Sequence, residues 1–441
     1  DEDNYEPELQ NEINTLEVAG GGTFTIPKGK YKITHGIELK SGVSLRAENF
    51  CDVVLLAAES ISDNYVFYGN NRENITIENI ILYGDKEFGT HGIKGSMDNL
   101  NFLNNAVVHF DYGMYFTAKV GHEITLGLIS GNYFFDNGYY SLGLSGIGGD
   151  DSSGDDDGCI ADIEDMIIKD NFLADNYQGI GANCVKSSEF SNNIVRGSDI
   201  AGFRLESSSD NDVKDNLFHE NNLDGMWLYG DTFRNSFESN IVINNNQGNM
   251  PFSFDCWRAQ QSLEDDYDNN DEGAPGASWY PFLRTDDYGN PLHNYVWCQF
   301  NGIEIEMRSD LDDSYFYNNT IGRYDYQGSG FGPSQYDVRI SYFPLFYGST
   351  TTEITNDVVF ENNYFLNSNP NSDRIKDYGC FTQYNNNKIV TFEPYTEEDF
   401  VVSIDNDYME TVCPQQKEGG DNWPVGCPGG QCYPCKVDGF C

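Results

Sequence analysis

The segment KDNFLADNYQGIGANCVKSSEFSNNIVRGSDIAGFRLESSSDNDVKDNLFHENNLDGMWLY (169–229) decides the fold. It repeats one pattern, an Asn followed by two apolar residues, at Asn171, Asn193 and Asn216, with spacings of 22 and 23 residues. A fixed period in the twenties, built from strand-forming residues, is typical of a solenoid in which each repeat makes one turn. The segment therefore predicts a β-solenoid.

The same pattern extends over most of the chain, and its Asn residues are Asn79, Asn105, Asn132, Asn171, Asn193, Asn216, Asn240, Asn319 and Asn363. The two irregular spacings of 39 and 79 residues place insertions at 147–164 and 255–298. Stacked turns lie about 4.8 Å apart, so an inward Asn can bond to the Asn above and below it. We interpret these residues as structural, and we expect roughly a dozen turns, or a body of about 55 Å.

A second strand follows each Asn after a Gly, as in GMYFT (113–117), GIGAN (179–183), GFRLE (202–206), GMWLY (225–229) and GIEIE (302–306). These segments alternate apolar and polar residues with period two, which indicates strands with one inward and one outward face. Aligned on their Gly, they place Arg204, Trp227 and Glu304 outward at one position. Glu206, Tyr229 and Glu306 are expected outward two residues further on.

The N-terminal region resembles a known superfamily. PELQNEINTLEV (7–18) predicts a helix with apolar residues on one face. Gly20–Thr23, Pro27–Tyr31 and Leu39–Val43 follow it, and together these motifs resemble the start of the pectate-lyase-like right-handed β-helices. The resemblance implies an all-β right-handed parallel β-helix with an N-terminal capping helix. We expect the cap at 1–19, the β-helix at 20–365, and a disulfide-rich C-terminal cap or interaction module at 366–441.

The charge balance excludes some partners. The chain has 25 basic and 71 acidic residues, a net charge of −46. Nucleic acid is excluded because phosphate binding needs clusters of Lys and Arg, and anionic polysaccharides are disfavoured unless divalent cations bridge them. No apolar run approaches the roughly 18 residues that a membrane span needs.

The cysteines and two sequons favour the secretory pathway. The sequons place glycans at Asn74 and Asn318, and eleven cysteines in such a chain indicate disulfides. We expect the bridges Cys256–Cys298 and Cys159–Cys184, and three bridges of open connectivity in the tail, among Cys380, Cys413, Cys427, Cys432, Cys435 and Cys441. Cys51 is then left as a buried free thiol, or alternatively as an intermolecular bridge. We expect a secreted protein of the cell surface or matrix.

Two acidic loops are candidate calcium sites. The first contains Asp155 and Asp157, and the second contains Asp266, Asp268 and Asn270. Oxygen ligands at this density suit Ca²⁺, but position twelve of the second loop is Trp279 where an EF-hand has Glu. Solvated acidic loops without a metal are the alternative interpretation.

The outward residues of the Gly-led strands form the best candidate active surface. Paired carboxylates can hydrolyse glycosidic bonds, so the catalytic candidates are Glu206, Glu304, Glu306 and Arg204. The ligand-binding candidates are Arg204, Trp227, Tyr229, Asp231 and Arg308. The motifs of enzymes on the resembled fold are missing, because Gly-His-Gly is absent and the nearest string is Gly121-His122-Glu123.

The sequence leaves three functions open. The first is a glycosylated structural protein that self-assembles into an extracellular filament, surface appendage or matrix. The second is a polysaccharide lyase, hydrolase or epimerase acting on the outer face, and the third is a carbohydrate-binding module. We favour the first because the catalytic motifs are missing, so an enzyme is the less favoured interpretation. The expected partners are other copies, other extracellular proteins, or glycans, with Ca²⁺ as the one candidate cofactor.

Overall fold

The structure is a computed structural model. It describes residues 6–58, 61, 63–84, 89–148, 159–222, 224–230, 232–245, 305–308, 313–322, 338–341, 358–366, 375–377 and 383–390. Most of the chain coils through three strands per turn, and the strands of successive turns pair into three faces. The chain visits these faces in the order face 2, face 3, face 1.

Face 1 carries the longer strands. It contains β3 (Ile37–Glu38), the first halves of β6 (Tyr65–Glu78) and β8 (His91–Leu103), β10 (Tyr112–Thr117), β14 (Tyr140–Ser145), β20 (Gln178–Asn183), β24 (Ala201–Glu206), β27 (Asp224–Tyr229), β30 (Ile305–Arg308), β33 (Val338–Ser341) and β36 (Ile375–Asp377).

Face 2 begins with the strand that follows the cap. It contains β1 (Gly22–Thr25), β4 (Val43–Arg46), the second halves of β6 and β8, β12 (Leu128–Ser130), β18 (Ile167–Lys169), β22 (Glu189–Ser191), β25 (Asp212–Lys214), β28 (Ser236–Glu238), β31 (Tyr315–Tyr317), β34 (Val359–Glu361) and β37 (Gln383–Asn385). Faces 1 and 2 are continuous where β6 and β8 run across both.

Within the part of the chain that the structure describes, face 3 is a separate sheet of twelve strands. It contains β2 (Gly29–Ile33), β5 (Val53–Ala57), β7 (Ile80–Tyr83), β9 (Ala106–Val108), β13 (Tyr133–Phe135), β19 (Phe172–Ala174), β23 (Ile194–Arg196), β26 (Leu217–His219), β29 (Ile241–Ile243), β32 (Thr320–Gly322), β35 (Tyr364–Leu366) and β38 (Lys388–Val390). Its pairings are parallel, and its strand count confirms the expected dozen turns.

The N-terminal cap is the helix α1 (Glu6–Val18), as the sequence predicts. Leu9 and Ile13, one helical turn apart, are fully buried against the first strands of the solenoid. Gly21 follows the helix at φ +106°, and a Cβ on it would lie 2.6 Å from the carbonyl oxygen of Gly42. This close approach requires Gly in the motif that links the cap to β1. Within the described residues, no helix is long and apolar enough to cross a membrane.

An asparagine ladder lies inside the corner between faces 2 and 3. In each link, the Nδ2 of one Asn donates to the Oδ1 of the Asn in the next turn, as from Asn193 to Asn216 at 3.0 Å. The same Oδ1 accepts the backbone N–H of Asn193 at 2.9 Å. The structural interpretation of the repeat is therefore confirmed, and the ladder continues one turn further than the sequence pattern, to Asn387.

Asn79 is not a member of this ladder. It lies at φ +62°, in the left-handed position that precedes the ladder residue in each turn, and Ile80 takes the ladder position itself. The Oδ1 of Asn105 accepts the backbone N–H of Ile80 at 2.9 Å, so the ladder begins at Asn105. The sequence alignment is one residue out of register at this turn.

Two further polar ladders were not predicted. One lies between faces 3 and 1, and its members are Asn137, Asn176, Asn221 and Asn245. The other lies between faces 1 and 2, and its members are Ser188, Asn211 and Asn235. Short strands β11 (Ile124–Thr125), β17 (Ile163–Glu164) and β21 (Val185–Lys186) extend the second of these corners. Buried hydrogen bonds thus fix the corners of the central turns, except that the Oγ of Ser198, which stands between Asn176 and Asn221 in the first of these ladders, has no hydrogen-bond partner.

The first insertion leaves the solenoid as a hairpin. β15 (Ile147–Gly148) and β16 (Cys159–Ala161) pair antiparallel, and residues 149–158 lie outside the described residues. The expected disulfide Cys159–Cys184 is present and anchors the hairpin to the next turn. The expectation of a free Cys51 is wrong, because Cys51 is disulfide-bonded. The second insertion, the candidate calcium ligands and the other eight cysteines lie outside the described residues.

The solenoid extends beyond the expected end at residue 365. β36, β37 and β38 pair in parallel with β33, β34 and β35, so residues as late as Val390 belong to the stack. The segment from 366 to 390, assigned to the tail by sequence, therefore contributes a further turn.

The register of β30 differs from the sequence alignment by two residues. Trp227 pairs with Glu306, and Tyr229 pairs with Arg308. Alignment on the Gly had placed Glu304 beside Trp227 and Glu306 beside Tyr229. The shift by an even number keeps Ile305 and Met307 inward, at 1% and 0% exposed, so hydrophobic alternation alone did not reveal it.

Candidate functional site

The outer surface of face 1 carries a stack of aromatic rings. Tyr112 lies 4.5 Å from His91, 5.2 Å from Tyr115 and 5.1 Å from Tyr139, measured between ring centroids. Tyr139 in turn stacks on Tyr177 at 5.7 Å. We call this area, formed by Tyr65, Tyr68, His91, Tyr112, Tyr115, Tyr139, Tyr140 and Tyr177, the tyrosine surface.

Register explains why these rings meet. Tyr112 pairs with His91 in the turn before it and with Tyr140 in the turn after it, so their side chains point outward from the same column. Tyr139 is 36% exposed, and most of the other rings are half-buried. Rings held at this spacing leave edges and part-faces open to solvent, and each carries a hydroxyl at its outer end.

Two glycines let the rings lie flat on the sheet. Gly143 and Gly181 occupy consecutive outward positions of β14 and β20. A Cβ on Gly181 would lie 2.5 Å from Cε1 of Tyr140, and one on Gly143 would lie 2.8 Å from Cδ2 of Tyr115. Any side chain at either position would displace a ring, so the shape of the tyrosine surface depends on both glycines.

Arg204 follows Gly143 and Gly181 in the same column of outward positions. Its Nη1 donates to the hydroxyl of Tyr140 at 2.6 Å, and its Nη2 bonds to Oε2 of Glu206 at 2.5 Å. The guanidinium carbon lies 5.3 Å from the ring of Trp227. Burial raises the pKa of Tyr140, so its hydroxyl stays protonated at physiological pH.

His91 lies at the opposite end of the surface and is only 5% exposed. Burial, and then the nearby Lys94 ammonium, lower the pKa of His91 to about 3, so the ring is neutral at physiological pH. The Nζ of Lys94 lies 3.4 Å from Nε2 of His91, which assigns the remaining proton to Nδ1. Burial also raises the pKa of Tyr112 to about 12.

The site residues predicted from sequence agree with the structure in direction but not in exposure. Arg204 and Trp227 point away from the core as expected, but they are 9% and 4% exposed. The expectation of an open ring and guanidinium therefore needs correction, because Tyr140, Glu206 and neighbouring apolar groups surround them. Their part in ligand binding stays a prediction.

The sequence alignment put Glu206 and Glu306 in one column, and the structure puts them in different columns. Glu206 is half-buried and tied to Arg204. Because of the register shift, Glu306 lies two turns from Arg204 rather than beside Tyr229, about 10 Å along the axis. Glu304 and Asp231 lie outside the described residues, as do the side chains of Glu306, Tyr229 and Arg308.

The sequence reasoning missed the tyrosine surface. Its rings stand just before or within the Gly-led strands, as in DYG (111–113), GYY (138–140) and NYQG (176–179). The recurrence of Tyr at this place in three successive turns was the available signal. The sequence reasoning instead concentrated on charged residues of later turns, where it looked for paired carboxylates.

Comparisons with known proteins bear on the fold. Residues 153–254 match the family described as periplasmic copper-binding protein (NosD). No curated protein sequence matches the chain. The structure is similar to tailspike protein 2 (TSP2, ORF211) from Escherichia coli O157:H7 bacteriophage CAB120, with a TM-score of 0.54 and 10% identity over 88% of this chain and 44% of that one.

Two other solved structures show weaker similarity. The A-module of mannuronan C-5 epimerase AlgE6 from Azotobacter vinelandii gives a TM-score of 0.44 and 12% identity, covering 89% of this chain and 96% of that one. PfbA, a surface adhesin of Streptococcus pneumoniae, gives 0.45 and 12%, covering 88% and 89%. Identities this low concern the fold alone. The chain has the fold of a right-handed parallel β-helix, as the N-terminal motifs implied.

The described part of the matched range does not fit a copper site. Copper favours imidazole, thiolate and thioether ligands. Within residues 159–222, 224–230 and 232–245, Cys159 and Cys184 are bonded to each other, and Met166 and Met226 are buried in the core at 1% exposed. His219 is the one histidine in those ranges. No cluster of three or more His, Cys, Asp or Glu able to hold a metal occurs among the described residues.

Proposed function

We propose that the chain is a secreted or periplasmic glycan-binding β-helix, whose binding site is the tyrosine surface of face 1. The observation that carries this proposal is the continuous stack of outward rings from His91 to Tyr177 across four turns. Sugar rings present flat apolar C–H faces bordered by hydroxyls, and aromatic rings with polar ends complement both. A surface repeated every turn suits a polymer whose units also repeat.

The polar groups at both ends of the surface support a glycan over a peptide. Arg204 and Tyr140 form a fixed pair of donors at one end, and the Lys94 ammonium stands at the other. Glycan hydroxyls and ring oxygens accept hydrogen bonds from such groups, and because the donors are already positioned, little entropy is lost on binding. The chain's net charge of −46 favours neutral glycans over anionic ones.

A glycan array followed by titration of the best ligand tests the proposal. Tyr112→Ala and Tyr139→Ala should each weaken binding about tenfold, the effect of losing one aromatic contact of about 1.4 kcal/mol. Tyr317→Ala is the matched control, because Tyr317 is a half-buried outward tyrosine on face 2. Equal affinity in all three variants, or no binding to any glycan, would refute the proposed site.

Catalysis is the second candidate, and the cluster of Tyr140, Arg204 and Glu206 favours it. A carboxylate and a phenol brought together by one guanidinium can hold or move a proton beside a bound sugar. Reducing-sugar and unsaturated-uronate assays over a polysaccharide panel test this candidate. Activity that survives Glu206→Gln would exclude this cluster as its source.

The structural, self-assembling role remains a proposal that the solenoid body supports. The described residues form twelve stacked turns closed at the N-terminal end by α1, and a solenoid of this kind is a rigid rod suited to a filament or matrix. Negative-stain microscopy tests it, and dispersed monomers at high concentration would refute it.

Calcium bound by the acidic loops also stays a proposal, and an unchanged melting curve after chelation would refute it.

We also propose that the protein works in an oxidising compartment, because it contains disulfides. Cys159–Cys184 and the bonded Cys51 are typical of secreted and periplasmic proteins. Asn74 and Asn318 are both exposed and have left-handed backbone. Mass spectrometry of both peptides from a eukaryotic host tests glycosylation.

A further inference from the structure

The column of side chains that carries much of the tyrosine surface continues into a glutamine. Gln178 pairs in register with Tyr140, and so takes the position that His91, Tyr112 and Tyr140 hold in the three preceding turns. A glutamine has neither the flat face nor the apolar area of these rings. The chemistry of the column therefore changes at this turn, from aromatic contact to hydrogen bonding.

The terminal amide of Gln178 is buried without a hydrogen bond. The residue is 4% exposed, and its Nε2 is buried with no hydrogen-bond partner in the part of the chain that the structure describes. Its backbone is satisfied, because the N–H donates to the carbonyl of Tyr139 at 3.0 Å and the carbonyl accepts from the hydroxyl of Ser141 at 3.2 Å. A buried amide without a partner destabilises a fold, so Gln178 calls for a role other than stability.

Two of the three rings around Gln178 are held only by contacts with other rings. Tyr177 precedes Gln178 in the chain, and Tyr139 stacks on Tyr177 with their centroids 5.7 Å apart. Within the described residues, neither hydroxyl of this pair takes part in a hydrogen bond. The third ring, Tyr140, is fixed by the bond from Arg204 to its hydroxyl at 2.6 Å. The Tyr139–Tyr177 pair can therefore rotate away from Gln178 without breaking a hydrogen bond.

A carboxamide in this position suits the polar edge of a sugar. Its nitrogen donates hydrogen bonds, and a sugar hydroxyl oxygen accepts them. The neighbouring rings contact only the apolar faces of a sugar, which most glycans share, so they discriminate little between glycans. A buried donor discriminates strongly, because a ligand without the matching oxygen leaves that donor unpaired in the complex.

We propose that Gln178 is a specificity-determining residue of the tyrosine surface. On binding, the Tyr139–Tyr177 pair moves aside, and the Nε2 of Gln178 donates to one hydroxyl oxygen of the glycan. This proposal rests on the glycan-binding function proposed above. The amide that destabilises the free protein thereby gains its partner from the ligand.

Gln178→Met tests the proposal in the free protein. Met keeps the length of the side chain and has no amide, so the variant should unfold at a urea midpoint about 0.3–1 M higher. Ser314→Ala is the matched control, because the hydroxyl of Ser314 is also fully buried without a partner but lies before β31 on face 2. A lower midpoint for Gln178→Met would show that the amide already stabilises the fold, and would overturn the proposal.

Titration with the best glycan from the array should give the opposite sign. Gln178→Met should bind about two- to tenfold more weakly, the effect of one lost hydrogen bond, whereas Ser314→Ala should bind as the unmodified protein does. In a series of monodeoxy analogues of that glycan, one should bind Gln178→Met and the unmodified protein equally. If Tyr112→Ala weakens binding and Gln178→Met does not, the tyrosine surface stands and the role of Gln178 is refuted. If the unmodified protein binds no glycan, the proposed function and this role fall together.

Nuclear magnetic resonance of the side-chain amides reads the contact directly. The signals of the Gln178 amide in ¹⁵N-labelled protein are those that Gln178→Met lacks. They should shift when the glycan saturates the protein, because the amide changes from unpaired to hydrogen-bonded. Unshifted signals at saturation would overturn the proposal, even if the variant binds more weakly.

Discussion

Replacement of Asn216 by Ala is the sharpest test of what holds the solenoid together. Its Nδ2 donates to the carbonyl of Phe190 at 2.8 Å and to Asn240 at 3.0 Å, and its Oδ1 accepts two donors from Asn193. Loss of the side chain leaves the buried backbone N–H of Asn193 without its acceptor, at a cost of about 1–3 kcal/mol. Three further bonds at about 0.5–1.5 kcal/mol each bring the expected loss to about 2.5–7.5 kcal/mol.

Hydrogen exchange measures the loss of stability of each turn separately. This matters because a solenoid turn contacts only its neighbours and can open alone. Amides of the turns that hold Asn193, Asn216 and Asn240 should exchange about 10²- to 10⁵-fold faster in the variant. Asn192→Ala is the control: Asn192 is exposed at φ +52°, and Ala in this left-handed position costs about 1–2 kcal/mol. If Asn216→Ala accelerates exchange no more than this control, the ladder does not stabilise the turns.

Three further predictions follow from single contacts. The pKa of His91 is about 3 in the fold against 6.5 unfolded, so the unfolded chain binds more protons between these values. Stability is therefore lost as pH falls from about 6.5 towards 3, by on the order of 5 kcal/mol. His91→Phe should flatten this part of the curve of melting temperature against pH, and an unchanged slope would contradict the assignment. Gly181→Ala should displace the Tyr140 ring and cost about 1–3 kcal/mol in urea unfolding, together with weaker glycan binding, whereas an unchanged protein would show that the ring has room to move. Cys159→Ser/Cys184→Ser opens a 25-residue loop and should lower the free energy of unfolding by about 3.5 kcal/mol, which equal unfolding midpoints would refute.

The fold could be predicted from sequence because its determinants are local and repeated. Each turn repeats the Asn and its flanking apolar residues, so any one turn reports the period of the whole. The pattern failed at Asn79, where the residue matches but the ladder position holds Ile80. It also failed at β30, where a two-residue shift preserved the alternation of Ile305 and Met307 and therefore left no trace in the hydrophobic pattern.

The candidate site was harder to predict because it depends on contacts between turns. Arg204 meets the hydroxyl of Tyr140 across two turns and 64 residues of chain, and only the register brings them together. The strands of face 3 carried a signal that the sequence reasoning did not use. NLFH (216–219) and NYFF (132–135) are apolar at every strand position but one, which predicts a sheet buried on both sides.

The asparagine ladder has a direction. In every link, an Asn offers two donors, its backbone N–H and its Nδ2, to the single Oδ1 of the Asn that comes later in the chain. The earliest link is closed at its N-terminal side by Ile80, which has no amide side chain to extend it backwards. During synthesis, each completed turn therefore presents a pair of aligned donors, and the next Asn to emerge brings the acceptor that satisfies both. Such an order lets each turn act as the template for its successor, so that the solenoid can fold turn by turn as the chain is synthesised.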